Sequence, residues 1–285
     1  MRRLRLYLEL VRFEHTLFAL PFAYGGMLLA AGGWPGWPTF LLVTLAMVGA
    51  RTMAMALNRL IDWRLDALNP RTPNRQLPTG LGKPGAPLTR ALPGVLLLVY
   101  AGPNRTPLSA RLLPVAVFFL VFYSYTKRFT WLCHYVLGLT IGAAAAGGWI
   151  AVTGSFAPTA YALWAGVGLW IAGFDILYAT QDYTFDRAHG VKSIPARFGI
   201  PQALRVARAS HLLAWLAFLW AGVSYGAGPL YYLGLLLVGG LLLLEHRLVS
   251  PEDLSKVEVA FFQANVGVSL GMFLFIVLDL LARGA

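Results

Sequence analysis

Twelve carboxylates serve the whole 285-residue chain, and five of them fall in two short segments. In the first, Asn58, Asp62 and Asp66 stand four residues apart, a spacing that holds them within an arc of about 80° on a helix. In the second, Asp175, Tyr178, Asp182 and Asp186 follow at intervals of three, four and four and again share a helical face. Carboxylates at the end of an apolar segment are costly unless paired, solvated or bound to a cation. Two such groups facing one another would repel, so a positive counterpart is required. A small set of hard oxygen donors suits Mg²⁺, which takes one or two protein carboxylates and completes its shell with water and phosphate oxygens. The neighbouring cations Arg71, Arg75, Lys127, Arg128 and Lys192 would neutralise further negative charge. Carboxylates, metal and several cations together predict a diphosphate ligand.

The elements that hold these residues must lie in a membrane. Hydrophobic residues make up 58% of the chain and charged ones only 12%, with a mean hydropathy of +0.65, which leaves no room for a sizeable soluble domain. Apolar spans read at 16–31, 39–61, 88–101, 107–126, 132–152, 160–181, 203–224, 229–244 and 259–282, each bounded by Pro, Gly or charge. The expected fold is therefore all-α, a polytopic membrane protein of nine transmembrane helices in a single domain spanning 1–285, with cap loops at about 63–87 and 182–202. The third span is short and contains Pro93. Residues 4–13 alternate apolar and charged side chains, the pattern of an interfacial helix entering the first span rather than of a cleaved leader.

The formal charge of +11 fits the membrane better than nucleic acid, because seventeen of the 23 basic residues fall on one side of the predicted spans. The N-terminus is thus expected in the cytoplasm and the C-terminus outside, in a bacterial inner membrane, with no nucleic-acid partner. Cys133 is the sole cysteine, and the five histidines lie far apart in sequence, so no zinc site is expected. The pairs Gly25-Gly26 and Gly147-Gly148 suit close helix packing. Trp34, Trp37, Trp131 and Tyr161 suit an interfacial aromatic belt.

At the acidic segments the chain resembles the UbiA superfamily of intramembrane prenyltransferases. Asn58 to Asp66 followed by Arg75-Gln76-Leu77-Pro78-Thr79-Gly80 is similar to its first signature. Asp175, Tyr178-Ala179, Asp182, Asp186 and Lys192-Ser193 are similar to its second. Tyr123 to Thr130 looks like the Tyr-x-x-x-Lys-Arg-x-Thr element after helix four. Phe18 to Ala23 and Ile194 to Gly199 look most like the 4-hydroxybenzoate polyprenyltransferase branch and its menaquinone-pathway relatives.

The resemblance implies a central chamber among the helices, capped by the loops after helices two and six and open sideways to lipid. It implies Mg²⁺-dependent transfer of a polyprenyl group from an allylic polyprenyl diphosphate to an aromatic acceptor, in ubiquinone or menaquinone synthesis. On that reading Asn58, Asp62 and Asp66 hold one metal ion and Asp182 and Asp186 another. Arg71, Arg75, Lys127, Arg128 and Lys192 bind diphosphate, while Tyr123 and Tyr178 stabilise the allylic cation. Asp175, set deeper, orients the acceptor or receives its ring proton. A competing class is a secondary transporter that couples ions through membrane aspartates. Transporters place such groups near the midplane, whereas these stand at helix ends beside basic loops.

Overall fold

The computed structural model describes residues 16–71 and 86–284, the side chains of residues 16, 17 and 86–90 excepted. Among the described residues nine helices of sixteen residues or more carry the fold: α1 (Thr16–Ala31), α2 (Trp37–Leu68), α3 (Ala86–Ala101), α4 (Pro107–Thr126), α5 (Cys133–Thr153), α6 (Pro158–Ala179), α9 (Ile200–Tyr225), α10 (Pro229–Leu248) and α12 (Asn265–Ala282). Between them lie the short helices α7 (Tyr183–Ala188), α8 (Ile194–Phe198) and α11 (Val257–Val259). Among the described residues seven helical segments are long and apolar enough to cross a membrane. The first and third expected spans coincide instead with shorter apolar helices, Phe18–Ala31 and Ala91–Ala101. The chain is all-helical and integral to a membrane.

Local sequence sets the boundaries. Proline opens α2, α4, α6, α9 and α10 within their first two positions, where the missing N–H has no helical partner to lose. Thr106 caps α4 by accepting from Ser109 N at 3.2 Å, and Gly154 and Gly226 close α5 and α9 in the left-handed conformation. α2 runs seven residues past the expected end of its span, so the first acidic segment is helix throughout. After α6 the chain tightens into a 3₁₀ turn, Thr180–Asp182, before α7. The second cap segment therefore contains helical turns where a loop was expected.

Small residues let the backbones approach. A side-chain carbon added at Gly26 would overlap the carbonyl of Ala145, and one at Gly148 the carbonyl of Ala23, so α1 lies directly against α5. Gly138 and Gly168 do the same for α5 and α6, and Gly49 and Gly94 for α2 and α3. Gly147 meets nothing and instead borders the chamber. Helix α6 is the hub, two-thirds buried along its span, whereas α4 is almost wholly unburied. α1, α5, α6, α9, α10 and α12 close a ring of contacts around Phe22, Trp170, Phe218, Val238 and Met272. α2, α3 and α4 form a thinner wall beside it.

Candidate active site

A chamber of about 850 Å³ separates the thin wall from the hub. Most of its length is apolar: Val43, Met47, Leu112, Ala116 and Phe119 line it from α2 and α4, Ala144 and Ile171 from α5 and α6. Polar side chains gather at one end, where α2, α4 and α6 terminate. Arg105 borders the opposite part of the chamber, donating to Ala151 O at 3.0 Å. An amphiphile with a long apolar tail and a charged head matches this division.

The two acidic segments meet at the polar end. Just beyond α2, Asn69 Nδ2 donates to Asp182 Oδ1 at 2.8 Å and Arg71 Nε to the same oxygen at 3.0 Å. A second Arg71 nitrogen binds Asp182 Oδ2, completing a two-pronged ion pair. Arg71 also donates to Tyr178 Oη at 2.6 Å and lies over that ring at 4.7 Å. Burial opposes the charge on Arg71, but the bonds to Asp182 outweigh it and hold its pKa above the ordinary value. Ser193, the N-cap of α8, donates to Asp186 Oδ2 at 2.8 Å.

On α2, Asp62 is 1% exposed and has both oxygens engaged. Lys127 Nζ stands 2.6 Å from Oδ2, Arg128 3.0 Å from Oδ1, and Asn58 donates to Oδ2 at 2.9 Å. Asn58, Asp66, Asp175, Asp182 and Asp186 line the chamber; Asp62 stands behind Lys127, which does. Asp66 lies 3.7 Å from Arg59. Arg128 does not face the chamber. Its guanidinium is committed to Ile61 O, Ser124 O and Asp62, so it ties α4 to α2. Tyr123 lines the chamber with its hydroxyl 3.5 Å from Ala54 O, and Lys192 reaches the same space. Arg75 lies outside the described residues.

The sequence pattern of the UbiA prenyltransferase family matches residues 19–275. The chain belongs to that family. It is 31% identical to a 4-hydroxybenzoate octaprenyltransferase of Nitrosospira multiformis over 91% of this chain and 89% of that one. The fold superposes on the apo structure of a UbiA homologue from Aeropyrum pernix with a TM-score of 0.84 and 31% identity, covering 93% and 98% of the two chains. A UbiA homologue from Archaeoglobus fulgidus, solved bound to GPP and Mg²⁺, shares the fold at a TM-score of 0.69 and 19% identity over 95% and 99%. The chain is thus a prenyltransferase, which removes the transporter alternative.

Three members of this UbiA site escape sequence reasoning. His134, at the start of α5, lies 2.7 Å from Asp175 Oδ2 and accepts from Ile194 N at 3.3 Å through Nε2. That backbone donor leaves Nδ1 to carry the hydrogen toward Asp175. No spacing links residues 134 and 175. Asn69 and Arg51 were more legible. Asn69 sits one turn beyond Asp66, and Arg51 is an arginine inside an apolar span that turns out to line the chamber, a functional candidate on that ground alone.

Proposed function

We propose that this UbiA-family enzyme transfers a polyprenyl group from an allylic polyprenyl diphosphate to a 4-hydroxybenzoate-like aromatic acceptor in lipid-quinone synthesis. The observation that carries the reading is the junction of the two acidic segments on one chamber, where Asn69 and Arg71 from the end of α2 both grip Asp182. The name of the Nitrosospira relative and the ligands of the Archaeoglobus structure support it.

Among the described residues no three His, Cys, Asp or Glu side chains converge as a ready-made cage. The oxygen donors that line the chamber, Asn58, Asp66, Asp182 and Asp186, suit Mg²⁺, which draws most of its shell from water and substrate phosphate. Asn58 and Asp66 would hold one ion, with Asp62 joining them only once Lys127 turns aside from it, and Asp182 and Asp186 would hold another. Bound there, Mg²⁺ neutralises diphosphate and makes it a better leaving group. Arg71, Lys127 and Lys192 stabilise the anion that develops as the allylic C–O bond breaks, joined by Arg75 from the cap and by Arg128 through its hold on Asp62. Tyr178 and Tyr123 turn π-density toward the allylic cation. Arg51, about 10 Å deeper than Asn58 along α2, supplies charge for the acceptor's carboxylate. Asp175, oriented by His134, receives the ring proton or holds the acceptor in place. The apolar reach of the chamber takes the isoprenoid, open to membrane lipid.

By the basic-residue asymmetry, the polar end faces the cytoplasm of a bacterial inner membrane, with the C-terminus outside. Purified protein in detergent, given octaprenyl diphosphate, 4-hydroxybenzoate and Mg²⁺, should form the prenylated acid with one diphosphate released per product. Chelation should stop both. Diphosphate release without aromatic product would overturn the acceptor, and product formation unaffected by chelation would overturn the metal assignment.

A further inference from the structure

Behind the acidic site lies a second recess of about 570 Å³, walled by the last turns of α2, the end of α4 and the 189–191 segment. Arg64, Lys127, Arg128 and His189 border it, and none of its lining residues is acidic. Arg64 stands over Trp63 at 5.5 Å and makes no ion pair among the described residues. Asp62 balances only one of the two cations beside it, Lys127 and Arg128. The described residues around the recess therefore carry net positive charge, which concentrates multiply charged anions.

Its position gives this charge a use. Leu65, Lys127 and Val191 line both the recess and the chamber, so these three residues form the partition between them. One of the three is the lysine that faces the acidic site. Lys127 O also accepts from Lys192 N at 2.6 Å, which joins the chamber's exposed lysine to the same partition. A lysine ammonium on a flexible four-carbon stem can turn from one cavity to the other.

We propose that the recess is an anion site for inorganic diphosphate, through which the leaving group departs from the chamber by way of Lys127. The proposal rests on the diphosphate chemistry assigned above, and its test separates the two. Inorganic diphosphate with Mg²⁺ is titrated calorimetrically into the purified full-length protein in neutral-lipid nanodiscs. The wild type should show two binding events. Arg64→Gln should weaken one about tenfold, the usual loss for a charge-assisted contact, with Arg64→Lys restoring most of it. Asp182→Asn should remove the other event and spare the first. Single-turnover transfer in Arg64→Gln should match the wild type, which shows that its chamber is intact.

Wild-type titration curves in Arg64→Gln would overturn the proposal. So would a variant that changes only the retention of phosphatidylglycerol, because the recess would then be a lipid-headgroup site. If Arg64→Gln loses its event while Asp182→Asn loses none, the recess stands and the chamber assignment falls.

Discussion

The molecule buries acidic side chains in two places and treats them differently. Around α10 and α12, Glu245 is wholly enclosed, accepts from Asn265 Nδ2 at 2.9 Å and lies 3.6 Å from His211. Asn265 in turn accepts from Trp170 Nε1 at 2.6 Å, and His211 bonds His246 at 2.9 Å. Asp279 accepts from Gly228 N at 2.8 Å and Tyr231 N at 3.3 Å, capping α10 from a neighbouring helix. The donors from Asn265, Gly228 and Tyr231 are neutral, and neither the chamber nor the recess borders these acids. At the ends of α2 and α6, by contrast, Asp62 and Asp182 are gripped by Lys127, Arg128 and Arg71, side chains that stand on the edge of open space. Burial does not set Asp62 apart from Glu245 and Asp279. Mobile cations that a competing ligand can draw away do.

If that contrast is right, variants at the chamber should damage turnover more than folding, and the largest effect should come from Asp182→Asn. Losing the carboxylate that joins both acidic segments should lower kcat about a thousandfold, with the thermal transition in detergent little changed. Activity within tenfold of wild type would erase the distinction between the halves. His134→Gln sharpens it. The histidine positions Asp175 without touching diphosphate, so kcat should fall about a hundredfold while KM for the prenyl donor holds. A parallel rise in donor KM would place His134 among the diphosphate groups instead.

How far the sequence revealed this site follows from the range of each contact. Asn58, Asp62 and Asp66 recur along one helix, so periodicity alone groups them, and the same holds for Asp175, Tyr178, Asp182 and Asp186. Spacing could not show that Asp62 turns into the wall behind Lys127 while its two neighbours line the chamber. A rotation of about 40° at each step separates the facing side chain from the buried one, and only the position of α4 decides which is which. The pairing of His134 with Asp175 is likewise a product of α5 packing on α6. For the spans, hydropathy located every long helix. It could not fix the length of α2, which runs on to Leu68 past the expected end at Ile61, because Asp62, Arg64 and Asp66 end the apolar run while the helix continues. Nor could it mark Arg128 as a tie between helices, because a basic residue after an apolar span reads the same whether it faces a ligand or a carbonyl.

The packed half should answer with stability. Gly148→Ala would drive a methyl group into the carbonyl of Ala23, and since neither is a flexible side-chain tip, α1 and α5 must part. A loss of about 2–3 kcal/mol is expected, seen as a lower thermal midpoint with normal turnover per folded molecule. Gly147→Ala, one residue away with open space around it, is the control and should leave the midpoint unchanged.

Asp279→Ala gives the smallest effect and the cleanest test of what a buried acid means in this fold. The carboxylate fills two orphan donors at the start of α10, from Gly228 and Tyr231, with Arg283 3.8 Å away and 43% exposed at its side chain. Loss of a cap of this kind amounts to about 1 kcal/mol. The exposed arginine adds little, because water already screens it. Asp279→Asn keeps an oxygen that can accept from Gly228 N and should recover most of the loss, whereas a chamber carboxylate changed to its amide, as in Asp182→Asn, should recover nothing. If Asp279→Asn instead abolished transfer in a protein that still melts normally, the acids of the packed half would belong to the chemistry after all, and an enclosing network of neutral donors would no longer mark a structural carboxylate.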